Sequence, residues 1–138
     1  MTVIGYAPGV YDMFHIGHLN ILRRARENCD FLIAGVVEDD VVAGIKGRLP
    51  VVPHHERMEV VGAIDLVDKV VSDFSSDKFE MWKELKYDVL FKGDDWKGTE
   101  KAIRLEKLLA EVGARVHYFP YTASTSSTGL RRLLDGAH

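Results

Sequence analysis

Apolar and polar positions follow two different periods along the chain. Short apolar, β-branched runs at residues 3–7, 31–37, 67–71, 89–92 and 115–119 read as buried strands. Amphipathic segments lie between them at 16–28, 54–64, 77–85 and 99–112, with a last one at 127–134. In the fourth, Ile103, Leu105, Leu108, Leu109 and Val112 share one side at helical spacing, while Lys101, Arg104, Glu106 and Lys107 stay solvated. Gly113 follows that helix as a left-handed stop. Strands alternating with helices require crossovers, hence a parallel sheet covered on both faces. The predicted fold class is α/β: a single Rossmann-like, doubly wound parallel sheet with helices on both faces. No repeat, low-complexity tract or linker divides the 138 residues, so one domain over 1–138 is expected.

Segment 38–53 breaks the rhythm. Gly44, Gly47, Pro50 and Pro53 predict an irregular connection there, carrying Lys46 and Arg48. It reads either as a mobile arm that brings cations over a ligand or as a solvated surface loop.

The chemistry concentrates where the first strand hands over to the first helix, in Gly9-Val10-Tyr11-Asp12-Met13-Phe14-His15-Ile16-Gly17-His18. Unpaired backbone N–H groups and the helix dipole favour anions at such a junction. Two histidines there can donate hydrogen bonds to a phosphoryl group, and Gly17 between them allows close approach to the backbone. A lone histidine at a helix start is usually a cap or a packed residue. Asp12, His15, Gly17 and His18 together point to a site. The hydroxyl run from Ser124 to Thr128, just before Leu130-Arg131-Arg132, reads as a helix N-terminus. Capping needs one such residue, and a run suits the β- and γ-phosphates of a nucleotide.

Composition narrows the partners. A formal net charge of −3 and a pI near 6.0 supply no global basic field for nucleic acid or anionic membrane. Nothing resembles a signal peptide, and no apolar run approaches the ~20 residues of a membrane span. A cytoplasmic location is therefore expected. The single cysteine, Cys29, excludes an internal disulfide and reads as a small core or boundary residue.

These residues resemble the HxGH signature of the nucleotidyltransferase superfamily, and Gly9 to His18 is similar to its cytidylyltransferase branch, glycerol-3-phosphate cytidylyltransferase included. Similar segments recur at Lys46–Arg48, His55-Glu56-Arg57, Gly93-Asp94-Asp95-Trp96 and Ser126-Ser127-Thr128. HxGH alone is shared with class I aminoacyl-tRNA synthetases, and the chain length argues against a complete synthetase. The resemblance implies transfer of CMP from CTP to a small phosphorylated or phosphonate metabolite, with release of pyrophosphate. It assigns His15, His18 and Lys46 to catalysis. It assigns Gly9, Val10, Tyr11, Gly17, Arg57, Gly93, Asp94, Asp95, Thr122, Ser126, Ser127 and Thr128 to the nucleotide, and Asp12 and Trp96 to the acceptor. From the residues alone, Asp94-Asp95 reads equally as a solvated turn. The resemblance further implies a homodimer and a Mg²⁺ ion bound with the triphosphate, with no metal ligand assigned on the protein.

The chain departs from the family pattern in three places. Tyr121 stands where relatives aim an arginine at the triphosphate, Asp65 where the glycerol-3-phosphate enzyme has an arginine, and Val10 replaces a threonine. Arg131 or Arg132 are the candidates to compensate the lost cations. Three other readings stay open: an adenylyltransferase using ATP with a flavin or pantetheine phosphate, a non-catalytic nucleotide-binding module, and a scaffold with no nucleotide site.

Overall fold

The computed structural model describes residues 2–120 and 126–136. Five strands form one parallel sheet: β1 (Ile4–Gly9), β2 (Phe31–Val37), β3 (Lys69–Asp73), β4 (Val89–Gly93) and β5 (Arg115–Phe119). Six helices accompany them: α1 (Ile16–Glu27), α2 (Asp39–Lys46), α3 (His54–Gly62), α4 (Lys78–Leu85), α5 (Glu100–Glu111) and α6 (Ser127–Gly136). The spatial order is β3-β2-β1-β4-β5.

Strand residues alternate strictly between two cores because successive side chains point to opposite faces. Ala7, Leu32, Ala34, Val36, Val89 and Phe91 pack on one face with Leu22 and Ala25 of α1 and Val61 of α3. Tyr6, Ile33 and Leu90 pack on the other with Met81 of α4 and Leu105 and Leu109 of α5. This is the doubly wound α/β architecture that the alternating pattern predicts.

The order reverses direction between β1 and β4, and there the sheet opens. β1 pairs with β2 from Ile4 to Gly9 but with β4 only through Gly5 and Tyr6. Beyond Tyr6 the carboxyl ends of β1 and β4 separate, leaving the crevice where doubly wound folds hold ligands. Pro8, which lacks a donor, lies past the last β1–β4 pair.

The expectation of an irregular 38–53 needs correction, because α2 occupies its first half. Asp39 and Asp40 sit at the positive end of its dipole, Lys46 at the negative end, and Val42 is buried. Gly47 then stops the helix in the left-handed region (φ 77°), donating its N–H to the Ala43 carbonyl at 2.9 Å. The glycines that suggested a loop are one interior residue and one stop signal.

One glycine answers to packing instead. A Cβ on Gly35 would lie 2.0 Å from the Tyr6 hydroxyl, which donates to the buried Asp73 carboxylate at 2.5 Å. Gly35→Ala is expected to lower unfolding free energy by about 1–3 kcal/mol through overpacking. Gly44→Ala, where an added Cβ meets nothing within 4 Å, is expected to raise it by up to about 1 kcal/mol. Urea denaturation of the two variants checks these opposite signs.

Candidate active site

The first turn of α1 is capped by the two histidines themselves. His15 is the N-cap residue, and its Nδ1 accepts the Gly17 N–H at 3.0 Å. His18, three residues on, returns the favour: its Nδ1 accepts the His15 N–H at 3.2 Å. A ring nitrogen that accepts a backbone N–H carries no proton, so both imidazoles hold theirs on Nε2. The rings stack at 4.0 Å between centroids. Burial lowers the pKa of His15. It lowers that of His18 to about 4, helped by the charges of His15 and Lys46 and opposed by Asp12. Near neutral pH the pair is therefore two uncharged N–H donors side by side.

The turn before them is held from below. Tyr11 and Met13 adopt positive φ (55° and 50°), which side chains other than glycine rarely do. Tyr11 is anchored by burial and by its hydroxyl, which donates to the Ala7 carbonyl at 2.7 Å. Its ring and that of Phe14 pack against His18.

Asp12 and Arg57 are committed to protein partners. The Asp12 carboxylate, 3% exposed, accepts the N–H groups of Val51 and Val52 at 2.8 and 2.9 Å and Arg131 Nη2 at 2.9 Å. Arg57 is 1% exposed and donates to the carbonyls of Val52, Val10 and Val37 at 2.9, 2.7 and 2.9 Å and to Asp39 Oδ1 at 2.5 Å. Together they tie the ends of β1 and β2, the start of α2, the 47–53 segment and α6 into one frame. Asp12 lines the cleft; Arg57 lies behind it.

The cleft itself measures about 790 Å³, in the range of small-molecule sites. It brings together most of the residues assigned from the sequence: Gly9, Val10, Tyr11, Asp12, His15, Gly17, His18, Lys46, Gly93, Asp95, Trp96, Ser126, Ser127 and Thr128. Asp94 sits in the 3-10 turn Asp94–Trp96 but not in the cleft wall, and Thr122 lies outside the described residues. Ser126 Oγ caps α6 by accepting the Gly129 N–H at 2.9 Å. Ser127 Oγ donates to the Asp12 carbonyl at 2.7 Å and lies 3.3 Å from His15 Nε2, placed to accept that proton.

Cations outnumber carboxylates on the walls. Besides Lys46, Arg48 and Arg131, the cleft is lined by Arg24, Lys78, Lys92 and Lys101; its carboxylates are Asp12 and Asp95. Lys78 and Lys92 carried no signal as site residues beyond the single fact that the apolar run of β4 ends in a lysine. Lys78 is brought in by its ion pair with Asp73 at 3.0 Å. Among the described residues no group of three His, Cys, Asp or Glu is disposed to hold a metal ion.

Comparison with known proteins agrees with this geometry. A family model described as Cytidylyltransferase-like matches residues 6–133. The chain is 35% identical over 114 residues to an FAD synthase of Thermococcus sibiricus, covering 82% of this chain and 77% of that one. It is 42% identical over 95 residues to the ethanolamine-phosphate cytidylyltransferase of Arabidopsis thaliana, covering 65% of this chain but spanning only 22% of the plant protein. The crystal structure of a lipopolysaccharide core biosynthesis protein from Thermoplasma volcanium shares the fold, with a TM-score of 0.74 at 23% identity over 91% of this chain and 100% of that one.

Two outcomes follow from the buried groups. Nitrogen-detected NMR of the histidine rings should show Nε2-protonated, neutral His15 and His18 at pH 7, with His18 titrating near pH 4. Arg57→Ala should cost about 3–5 kcal/mol of stability by removing the partner of Asp39 and of three carbonyls, measured by chemical denaturation.

Proposed function

We propose that this chain, a nucleotidyltransferase that belongs to the cytidylyltransferase-like family, transfers CMP from CTP to a small phosphorylated or phosphonate acceptor and releases pyrophosphate. The observation that carries the reading is the pair of neutral Nε2–H donors stacked at the start of α1 in a cation-lined cleft. An ionised oxygen of the acceptor attacks the α-phosphorus in line. The new O–P bond forms as the bond to the β-phosphate oxygen breaks, and the electron pair leaves with pyrophosphate. The attacking oxygen is already ionised near neutral pH, so no general base is required. Catalysis reduces to positioning and to stabilising charge on the equatorial oxygens.

His15 and His18 take those equatorial oxygens, as fixed donors that need not change protonation state. A phosphate oxygen replaces the Ser127 hydroxyl now facing His15 Nε2. Lys46, in the last turn of α2, faces the departing charge. The N-terminus of α6, with Ser126, Ser127 and Thr128, takes the outer phosphates. Mg²⁺ belongs to this reading as part of the nucleotide complex: Asp95, the lining carboxylate without a hydrogen bond or ion pair among the described residues, would be the protein group available to hold it, and the ion would offset charge on the phosphates. A homodimer belongs to the same reading, as a property of the resemblance alone. No helix among the described residues is long and apolar enough to cross a membrane.

A second reading, adenylyl transfer from ATP to a flavin-type phosphate, is favoured by the likeness to an FAD synthase over 77% of that protein. A pyrophosphate-release screen crossing CTP and ATP with small phosphates and phosphonates separates the two. Turnover with CTP supports the first; turnover with ATP and none with CTP replaces it with the second. In whichever pairing is active, His18→Ala should lower kcat by about 10²–10³-fold, as expected for loss of one preorganised donor. Near-normal turnover would remove His18 from the mechanism.

A further inference from the structure

One cation of the cleft wall is held from inside the protein. Lys78 opens α4 and lines the cleft, although its side chain is only 9% exposed. Its ammonium pairs with Asp73 Oδ1 at 3.0 Å and donates to the Ser75 carbonyl at 3.2 Å, which leaves a third N–H with no acceptor among the described residues. Asp73 and Tyr6 are both fully buried, and neither lines the cleft. The Tyr6 hydroxyl donates to Asp73 Oδ2 at 2.5 Å. The two oxygens of one carboxylate are thus divided between a core tyrosine and a cleft lysine.

The route from Tyr6 to that carboxylate is long. Tyr6 stands on β1 and Asp73 ends β3, with β2 between them. The tyrosine side chain crosses β2 at Gly35, where a Cβ would lie 2.0 Å from its hydroxyl. Burial, reinforced by the Asp73 charge, raises the Tyr6 pKa far above the ordinary tyrosine value, so the hydroxyl keeps its proton and stays a donor. Tyr87 supports the same lysine through the main chain. Its hydroxyl donates to the Lys78 carbonyl at 3.0 Å, and its ring stacks on that of Tyr6 at 5.2 Å between centroids. A buried ion pair adds little net stability, because desolvation of both charges offsets their attraction. A core that commits a carboxylate, two tyrosine hydroxyls and a glycine to one lysine fixes where its ammonium stands.

We propose that Tyr6 is a positioning residue for anion binding in the cleft: through Asp73 it holds the Lys78 ammonium at the wall, with its third N–H left for the ligand. Tyr6 itself touches no ligand. Without its hydroxyl, Asp73 Oδ2 has no donor, and the ammonium turns inward to bridge both carboxylate oxygens. The inference needs only that the cleft takes an anion, and it goes beyond the nucleotidyl-transfer reading without depending on it.

Calorimetric titration of the intact chain with sulfate tests it, since this dianion keeps its charge near neutral pH and undergoes no transfer. Tyr6→Phe should bind sulfate about three- to tenfold more weakly than the wild type. Lys78→Met alone would bare the Asp73 charge and endanger folding. The ammonium is therefore removed together with that charge, in a double variant of Asp73→Asn and Lys78→Met, which should bind about tenfold more weakly or worse. Adding Tyr6→Phe to that double variant should change affinity by less than about twofold, because the residue through which Tyr6 acts is gone. Urea denaturation of each variant is read beside the titrations. A Tyr6→Phe protein that loses stability yet keeps wild-type sulfate affinity overturns the proposal, because the hydroxyl is then structural only. So does a triple variant weakened further by the full Tyr6→Phe factor, or a wild type that binds no sulfate. Pyrophosphate release is read separately. Its absence with both nucleotides would sink the transfer reading and leave this one standing.

Discussion

The reciprocal capping of α1 by His15 and His18 is the interaction on which the site depends. A helix start leaves backbone N–H groups without partners, and here two imidazole nitrogens take them. One arrangement thus satisfies the helix, fixes which nitrogen carries each proton and aims both remaining N–H groups outward. Burial keeps the rings uncharged. Donors held this way lose no free energy to reorientation when charge appears before them. A serine or aspartate cap would serve the helix equally well and would leave nothing to offer a phosphate.

Around that turn, ionised groups divide into those that build the frame and those left for a ligand. Arg57 and Asp12 are buried and saturated, and they join segments far apart in the chain. Arg131, weighed from the sequence as a substitute for a missing phosphate-directed arginine, spends its guanidinium on Asp12 and the Leu49 carbonyl. Lys46 and Lys92 line the cleft with no ion pair among the described residues. An acidic chain with a formal charge of −3 therefore presents a cationic cleft, because its lining lysines and arginines outnumber its two carboxylates, Asp12 and Asp95. Steering of a polyanion follows from this local field rather than from net charge.

Opening of the sheet gives that field its shape. The ladder between β1 and β4 ends at Tyr6, so Gly9 and Gly93 stand at the lips of a crevice rather than side by side. On the far face, Tyr6, Asp73 and Lys78 form a buried chain from β1 through β3 to α4. Gly35 leaves room for the Tyr6 hydroxyl within it. Packing on that face thereby sets where the Lys78 ammonium stands beside the cleft.

The amino-acid sequence by itself determined the alternation of strands and helices, the handover at His15 and His18, and the family. Each of these is written in local periodicity or in residues a few positions apart. The helix over Asp39–Lys46 escaped that reading because its glycines resemble loop residues until Val42 is seen to be buried. The division of roles among charged residues belongs to the tertiary structure alone. Arg57 behind the site and Asp12 as a clamp depend on partners up to 119 positions away, and Lys78 and Lys92 reach one cleft from different elements. Whether a charge is spent or available is a matter of distance in space, and long-range distance is what a fold adds to a sequence.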